Sequence, residues 1–138
     1  MNIRKQQTGA MLLEALIAIL VFSIGILAII GLQAAAVRAS SDGKYRSDAS
    51  LLANQLVGQM QVSDRTSATL QTNFQTGGTA YNAWLADVQS ALPQVAANPP
   101  TVVIVPGVTA GSVATITIFW QLPGAADVHQ YSTVVPII

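Results

Sequence analysis

Residues 10–32 read AMLLEALIAILVFSIGILAIIGL, and from position 15 to position 32 no residue is charged. A helix needs about 20 consecutive apolar residues to cross the hydrocarbon core of a bilayer. This stretch meets that length and is interrupted only by Glu14. Twelve of the 18 residues after Glu14 are Leu, Ile, Val or Phe. At about −0.3 to −0.6 kcal/mol each, their insertion sums to roughly −4 to −7 kcal/mol, an upper bound because off-centre positions contribute less. Ahead of the run, residues 1–9 are short and polar, with Arg4 and Lys5. That leader charge predicts a cytoplasmic N-terminus.

Two ordinary readings compete for such a segment. A cleaved secretory signal has the same basic start, but its apolar core runs only about 7–15 residues and ends in a small-x-small site. The present run is longer. A plain single-pass anchor accounts for everything except Glu14. A carboxylate costs on the order of 2.5–3.5 kcal/mol at the bilayer centre even on a lenient scale. With a helix beginning near Met11, Glu14 falls in the first turn, where the macrodipole softens that cost. An intramembrane acid is nevertheless best read as functional, with a partner to be named. A cut after Gly9 would create one. Ala10 would then carry a free α-amine, cationic at neutral pH, and Glu14 lies four residues on, on the same helix face. In a bundle of identical helices, the amine of one subunit meets the carboxylate of another, and pairing is what lets both charges remain buried.

The stretch Gly9-Ala10-Met11-Leu12-Leu13-Glu14 resembles a class III prepilin signal: a short basic leader ending in Gly, Glu at the fifth mature residue, and an apolar helix. The segments at residues 13–18, 23–27 and 31–34 are similar to those of minor type IV pilins of the PilV type. The resemblance implies cleavage by a prepilin peptidase between Gly9 and Ala10 and N-methylation of the new amine. It implies partners among major and minor pilins, reached through the N-terminal helices. It also implies residence in a bacterial inner membrane before assembly and in a pilus or pseudopilus afterwards. The family usually has Phe where this chain has Ala10. Family members often carry a helix breaker in this region, which makes Gly25 and Gly31 the candidate positions for helix melting during assembly.

Beyond the apolar run, residues 1–92 contain no proline, and Tyr45, Ala49, Leu52, Leu56 and Met60 recur at helical spacing. One helix is expected over residues 11–63, roughly 80 Å long. Asp42, Lys44, Arg46 and Asp48 are expected on its other faces, and Tyr45 with Lys44 and Arg46 reads as a solvated patch. Residues 64–79 read as a polar loop ending in Gly77-Gly78. Residues 79–92 read as a short amphipathic helix stopped by Pro93, and residues 94–100 as a linker. The period then changes. Residues 101–105, 112–121 and 129–135 read as strands, with turns at residues 106–111 and at Pro123-Gly124. Ala114, Ile116, Ile118 and Trp120 form the better core face of the middle strand. The expected fold class is α+β and, by resemblance, pilin-like: a long N-terminal helix packed on a small antiparallel sheet. The expected domains are a leader at 1–9, an assembly helix at 10–32 and a periplasmic or extracellular head at 33–138.

Composition narrows the chemistry. The charged fraction is 9%, against about 25% in an ordinary soluble domain. From Gln33 onward there are four basic and five acidic residues, so the basic footprint of a nucleic-acid binder is missing. With no cysteine in the chain, a disulfide framework, a thiolate metal site and a cysteine nucleophile are excluded. His129 is the only histidine; scattered carboxylates give it no ligand set, and it reads as a surface or strand-edge residue. No G-x-S-x-G elbow or G-K-[ST] loop occurs. Trp84 and Trp120 read as core anchors. No catalytic residue, cofactor, metal or small-molecule substrate is expected. The function expected is a minor pilin in pilus assembly, initiation or capping. Its alternatives are a minor pseudopilin of type II secretion and a pilus-tip adhesin or binding module.

Overall fold

Proline removes a backbone donor and clashes with the preceding helical turn. Its absence from residues 1–92 leaves room for one long helix. The computed structural model describes residues 8–107 and 111–138, and in it α1 runs over Thr8–Val62. The chain divides into two compact units, Met1–Ser40 and Ser41–Ile138.

The first unit is helical from Thr8 onward, and every residue from 9 to 40 is exposed. Gly25 and Gly31 lie inside unbroken helix. Each weakens it by about 1 kcal/mol relative to alanine. The helix begins three residues earlier than its apolar pattern implied. Glu14 therefore sits beyond the first turn, where relief from the macrodipole has faded.

In the second unit, the rest of α1 buries a stripe made of Ala49, Leu52, Ala53, Leu56, Val57 and Met60. Two short helices follow, α2 (Ser67–Phe74) and α3 (Thr79–Ala91). Helix α3 contributes Tyr81, Trp84 and Val88 to the core. Trp84 is a buried anchor: its Nε1–H donates to Leu52 O at 2.9 Å, and its ring tilts against Tyr81 with centroids 5.9 Å apart. Three strands complete the unit: β1 (Thr101–Pro106), β2 (Ser112–Gln121) and β3 (Val128–Ile137). They form an antiparallel meander in the order β1-β2-β3. Val102, Ile104, Ala114, Ile116, Ile118 and Trp120 are buried on one face of it. The turn from Leu122 to Ala125 is closed by Ala125 N–H on Leu122 O at 3.0 Å. Gly124, at φ +75°, supplies the left-handed residue that this turn requires. Of the turn expected at 106–111, residues 108–110 lie outside the described residues.

Four expectations need correction. Residues 64–79 are not one loop, because α2 forms inside them. Leu70 and Phe74, four apart, bury one face, and Asp64 accepts from Thr66 N–H at 3.1 Å and Thr69 Oγ1–H at 3.1 Å to fix the entry. A Thr- and Gln-rich composition concealed that single apolar pair. Asp42 is not on an outer face of α1: three residues before Tyr45 and seven before Ala49, it shares their stripe and meets the sheet. Tyr45 is not simply solvated; it is half-buried against the core, with Lys44 Nζ 5.4 Å from its ring centroid. The segment at 94–100 is also more than a spacer, since Val95 and Pro100 are buried.

Candidate functional site

The residues singled out from the sequence lie in the first unit. Arg4 and Lys5 lie outside the described residues. Gly9 and Ala10 are exposed near the start of α1, and a side chain at Gly9 would meet nothing within 4 Å. Glu14 is one helical turn past Ala10 on the same face, and exposed. Large apolar side chains then cover the whole circumference, from Leu16 at 64% exposure through Phe22 at 68% to Leu32 at 72%. A helix that is apolar all round has no water-facing side and requires lipid or other helices around it. Among the described residues one helix is long and apolar enough to cross a membrane, and it is this one. At 1.5 Å per residue, residues 10–32 extend about 35 Å, against a hydrocarbon core of about 30 Å. Ser23, the hydroxyl in this run, donates to Ile19 O at 2.7 Å and so presents no unpaired donor to an apolar medium. Gly25 and Gly31, six residues apart, fall on different faces.

The second unit holds a cluster the sequence reading did not assemble. Asp42 Oδ1 accepts from Trp120 Nε1–H at 3.3 Å and faces His129 Nδ1 at 3.1 Å. Trp120 and His129 stack, with centroids 5.9 Å apart and planes 15° from parallel. The signal was present: Asp42 is the one acid at a stripe position of α1, and a buried tryptophan needs an acceptor for its N–H. Among the described residues no hydroxyl hydrogen-bonds to His129. No group of three potential metal ligands occurs among the described residues.

A shallow, open hollow of about 440 Å³ lies beside the end of α2, lined by Gln71, Thr72, Gln75, Thr76, Gly77 and Gly78. Its lining has amides and hydroxyls but no titratable side chain. Two other groups carry shifted protonation. The N–H of Thr66, aided by the Thr69 hydroxyl, holds the Asp64 carboxyl below the usual carboxylate range. Burial pushes the Tyr81 phenol up, and its O–H donates to Pro100 O at 2.6 Å. Both are structural: Asp64 fixes the start of α2, and Tyr81 ties α3 to the segment before β1.

No protein-family model, curated protein or solved structure matches the chain.

Proposed function

We propose that this chain is a minor pilin subunit that takes part in assembling, initiating or capping a type IV pilus. It is held in a bacterial inner membrane with its N-terminus cytoplasmic until a prepilin peptidase cuts between Gly9 and Ala10. One observation carries the reading: an exposed apolar segment of α1, residues 10–32, with a single carboxylate one turn beyond the residue that the cut would turn into an α-amine. Cleavage brings Glu14 to the fifth position of the new helix, near a positive end, and N-methylation leaves that amine charged. In a bundle of apolar helices the acid of one subunit and the amine of the next offset each other's desolvation, and removing one partner of such a buried pair costs about 3–5 kcal/mol. The pair therefore sets axial register as well as attraction. The small antiparallel sheet with its covering helices agrees with a pilin-like head.

Mass spectrometry of the protein recovered from membranes tests the processing: the expected chain starts at a methylated Ala10. Glu14→Ala is expected to insert normally yet enter filaments poorly. A chain still beginning at Met1, or normal incorporation of the Glu14 variant, defeats the proposal. Deleting the gene is expected to reduce piliation while type II secretion continues; the reverse result would make the chain a pseudopilin.

A further inference from the structure

The sheet has two edges, and among the described residues only one of them is covered. Along β1, Val102 N–H donates to Thr76 Oγ1 at 2.8 Å, Val102 O accepts from Thr76 N–H at 3.1 Å, and Ile104 O accepts from Gln71 Nε2–H at 2.9 Å. Val102 and Ile104 therefore turn their backbone groups away from β2. Antiparallel ladders alternate strictly between paired and outward-facing backbone groups, and the register carries this alternation across the sheet. Val102 lies opposite Ile116 and Ile116 opposite Thr133; Ile104 lies opposite Ala114 and Ala114 opposite Val135. Thr133 and Val135 are thus the residues of β3 that bond to β2. Val128, Gln130, Ser132 and Val134 direct N–H and C=O outward. Pro136 belongs to the same set, where no ladder donor is needed.

All five outward residues are exposed. β3 is 10 residues long, contains no Lys, Arg, Asp or Glu, and pairs only with β2 among the described residues. Edges are normally blunted by charge, short length, bulges or a covering element. Here Pro136, at one end, is the only such device in the strand. A partner's extended segment adds to such an edge through main-chain bonds, with side-chain complementarity giving selectivity.

Helix α1 contacts the side chains of β3. Asp42 reaches His129, and Ser50 Oγ–H donates to Tyr131 Oη at 3.4 Å. Arg46 lies four residues from each, on the same side of α1. It is exposed and makes no ion pair among the described residues. We propose that the outer edge of β3 is a docking site for an extended segment of another protein, added as a fourth strand, uncharged except for a carboxylate that meets Arg46. A second copy of this chain fits less well, because β3 has no carboxylate to set against Arg46. The inference stands apart from the proposed processing at Gly9.

The test uses the full chain in detergent micelles and follows amide hydrogen exchange residue by residue. The probe is a short alternating threonine–valine peptide with one central glutamate, compared with its lysine counterpart. The glutamate peptide is expected to slow exchange at Val128, Gln130, Ser132 and Val134 by about tenfold or more, with little change at Thr133 and Val135, which are already bonded. The lysine peptide is expected to bind about tenfold more weakly, and Arg46→Glu to reverse that order. Ser132→Pro is expected to fold normally and to abolish the protection. Unchanged exchange at millimolar glutamate peptide overturns the proposal, as does equal binding of the two peptides. Unfolding of Ser132→Pro would show that its N–H faces β2, which also overturns it. Protection that appears without peptide and grows with protein concentration would make a second copy the occupant and reject the partner proposed here.

Discussion

Asp42 Oδ1 lies 3.1 Å from His129 Nδ1 and accepts the Trp120 indole N–H at 3.3 Å, so one carboxylate oxygen joins α1 to both β2 and β3. The two contacts differ in what they leave behind when broken. Trp120 is fully buried, and an orphaned donor there costs about 1–3 kcal/mol. The Asp42 and His129 side chains are about one-third exposed, and exposed pairs contribute about 0–1 kcal/mol. Asp42→Ala is therefore expected to lower stability by more than His129→Ala does. Urea-unfolding midpoints of the two variants check the order.

Tyr81 gives the fold an alkaline limit. Burial raises its phenol above the ordinary value. The folded state then holds the proton that the unfolded chain releases near pH 10, so this contribution is intact below about pH 10 and is lost as pH rises further. Tyr81→Phe is expected to flatten the alkaline fall in stability while costing about 1 kcal/mol at neutral pH, since Pro100 O loses its donor. Denaturation curves across the alkaline range, with tyrosinate absorbance followed in parallel, measure both effects.

Asp64 acts at the acid end. Its carboxyl is held low by the Thr66 N–H and the Thr69 hydroxyl, so its contribution is present above the ordinary carboxylate pKa and lost as pH falls through the depressed one. Relative to intrinsic exchange rates, the amides at Thr66 and Leu70 are expected to lose protection on acidification through that range more than other sites in the unit do. Asp64→Asn is expected to remove that difference.

Gly78 precedes α3 with an ordinary backbone conformation, φ −70°, yet has no room for a side chain. A Cβ there would press into the main-chain oxygens of Asn73 and Thr72 at the end of α2. Gly78→Ala is expected to destabilise by about 1–3 kcal/mol, as overpacking against rigid atoms does. Gly58, in α1 with nothing within 4 Å, is the contrast: Gly58→Ala is expected to gain up to about 1 kcal/mol. Thermal unfolding of the two variants reads out opposite signs.

Gly25 and Gly31 also have open space around them. The double change Gly25→Ala with Gly31→Ala is expected to stiffen α1 by about 2 kcal/mol without impeding insertion. If the helix must loosen there during assembly, the double variant accumulates in the membrane and is under-represented in filaments; equal incorporation removes melting from the account.

Periodic apolar residues were the readable part of this chain. The α1 stripe at Ala49, Leu52, Leu56 and Met60 and the inward row Ala114, Ile116, Ile118 and Trp120 are both buried where spacing put them. Each repeats often enough to outweigh local propensity. What escaped depended on single contacts. Helix α2 rests on Leu70 and Phe74, too few to show a period, and on the turn bonded to Asp64. Asp42 departs from the rule that charge faces solvent, because its i+3 and i+7 neighbours are stripe residues. In the candidate assembly segment, Ala10 and Glu14 share a face as their spacing requires. The partner that would meet Glu14 belongs to another subunit, and no single chain can display it.

The fully buried core starts at Ala49, and the half-buried Tyr45 that packs against it belongs to the same unit. Substitutions at the exposed positions 10–32 are expected to change the stability of residues 41–138 little and to act mainly through whatever surrounds the apolar helix. The polypeptide can diverge on two independent clocks. A saturation library scored separately for abundance and for filament incorporation would sort its failures by position, with little overlap between the two sets.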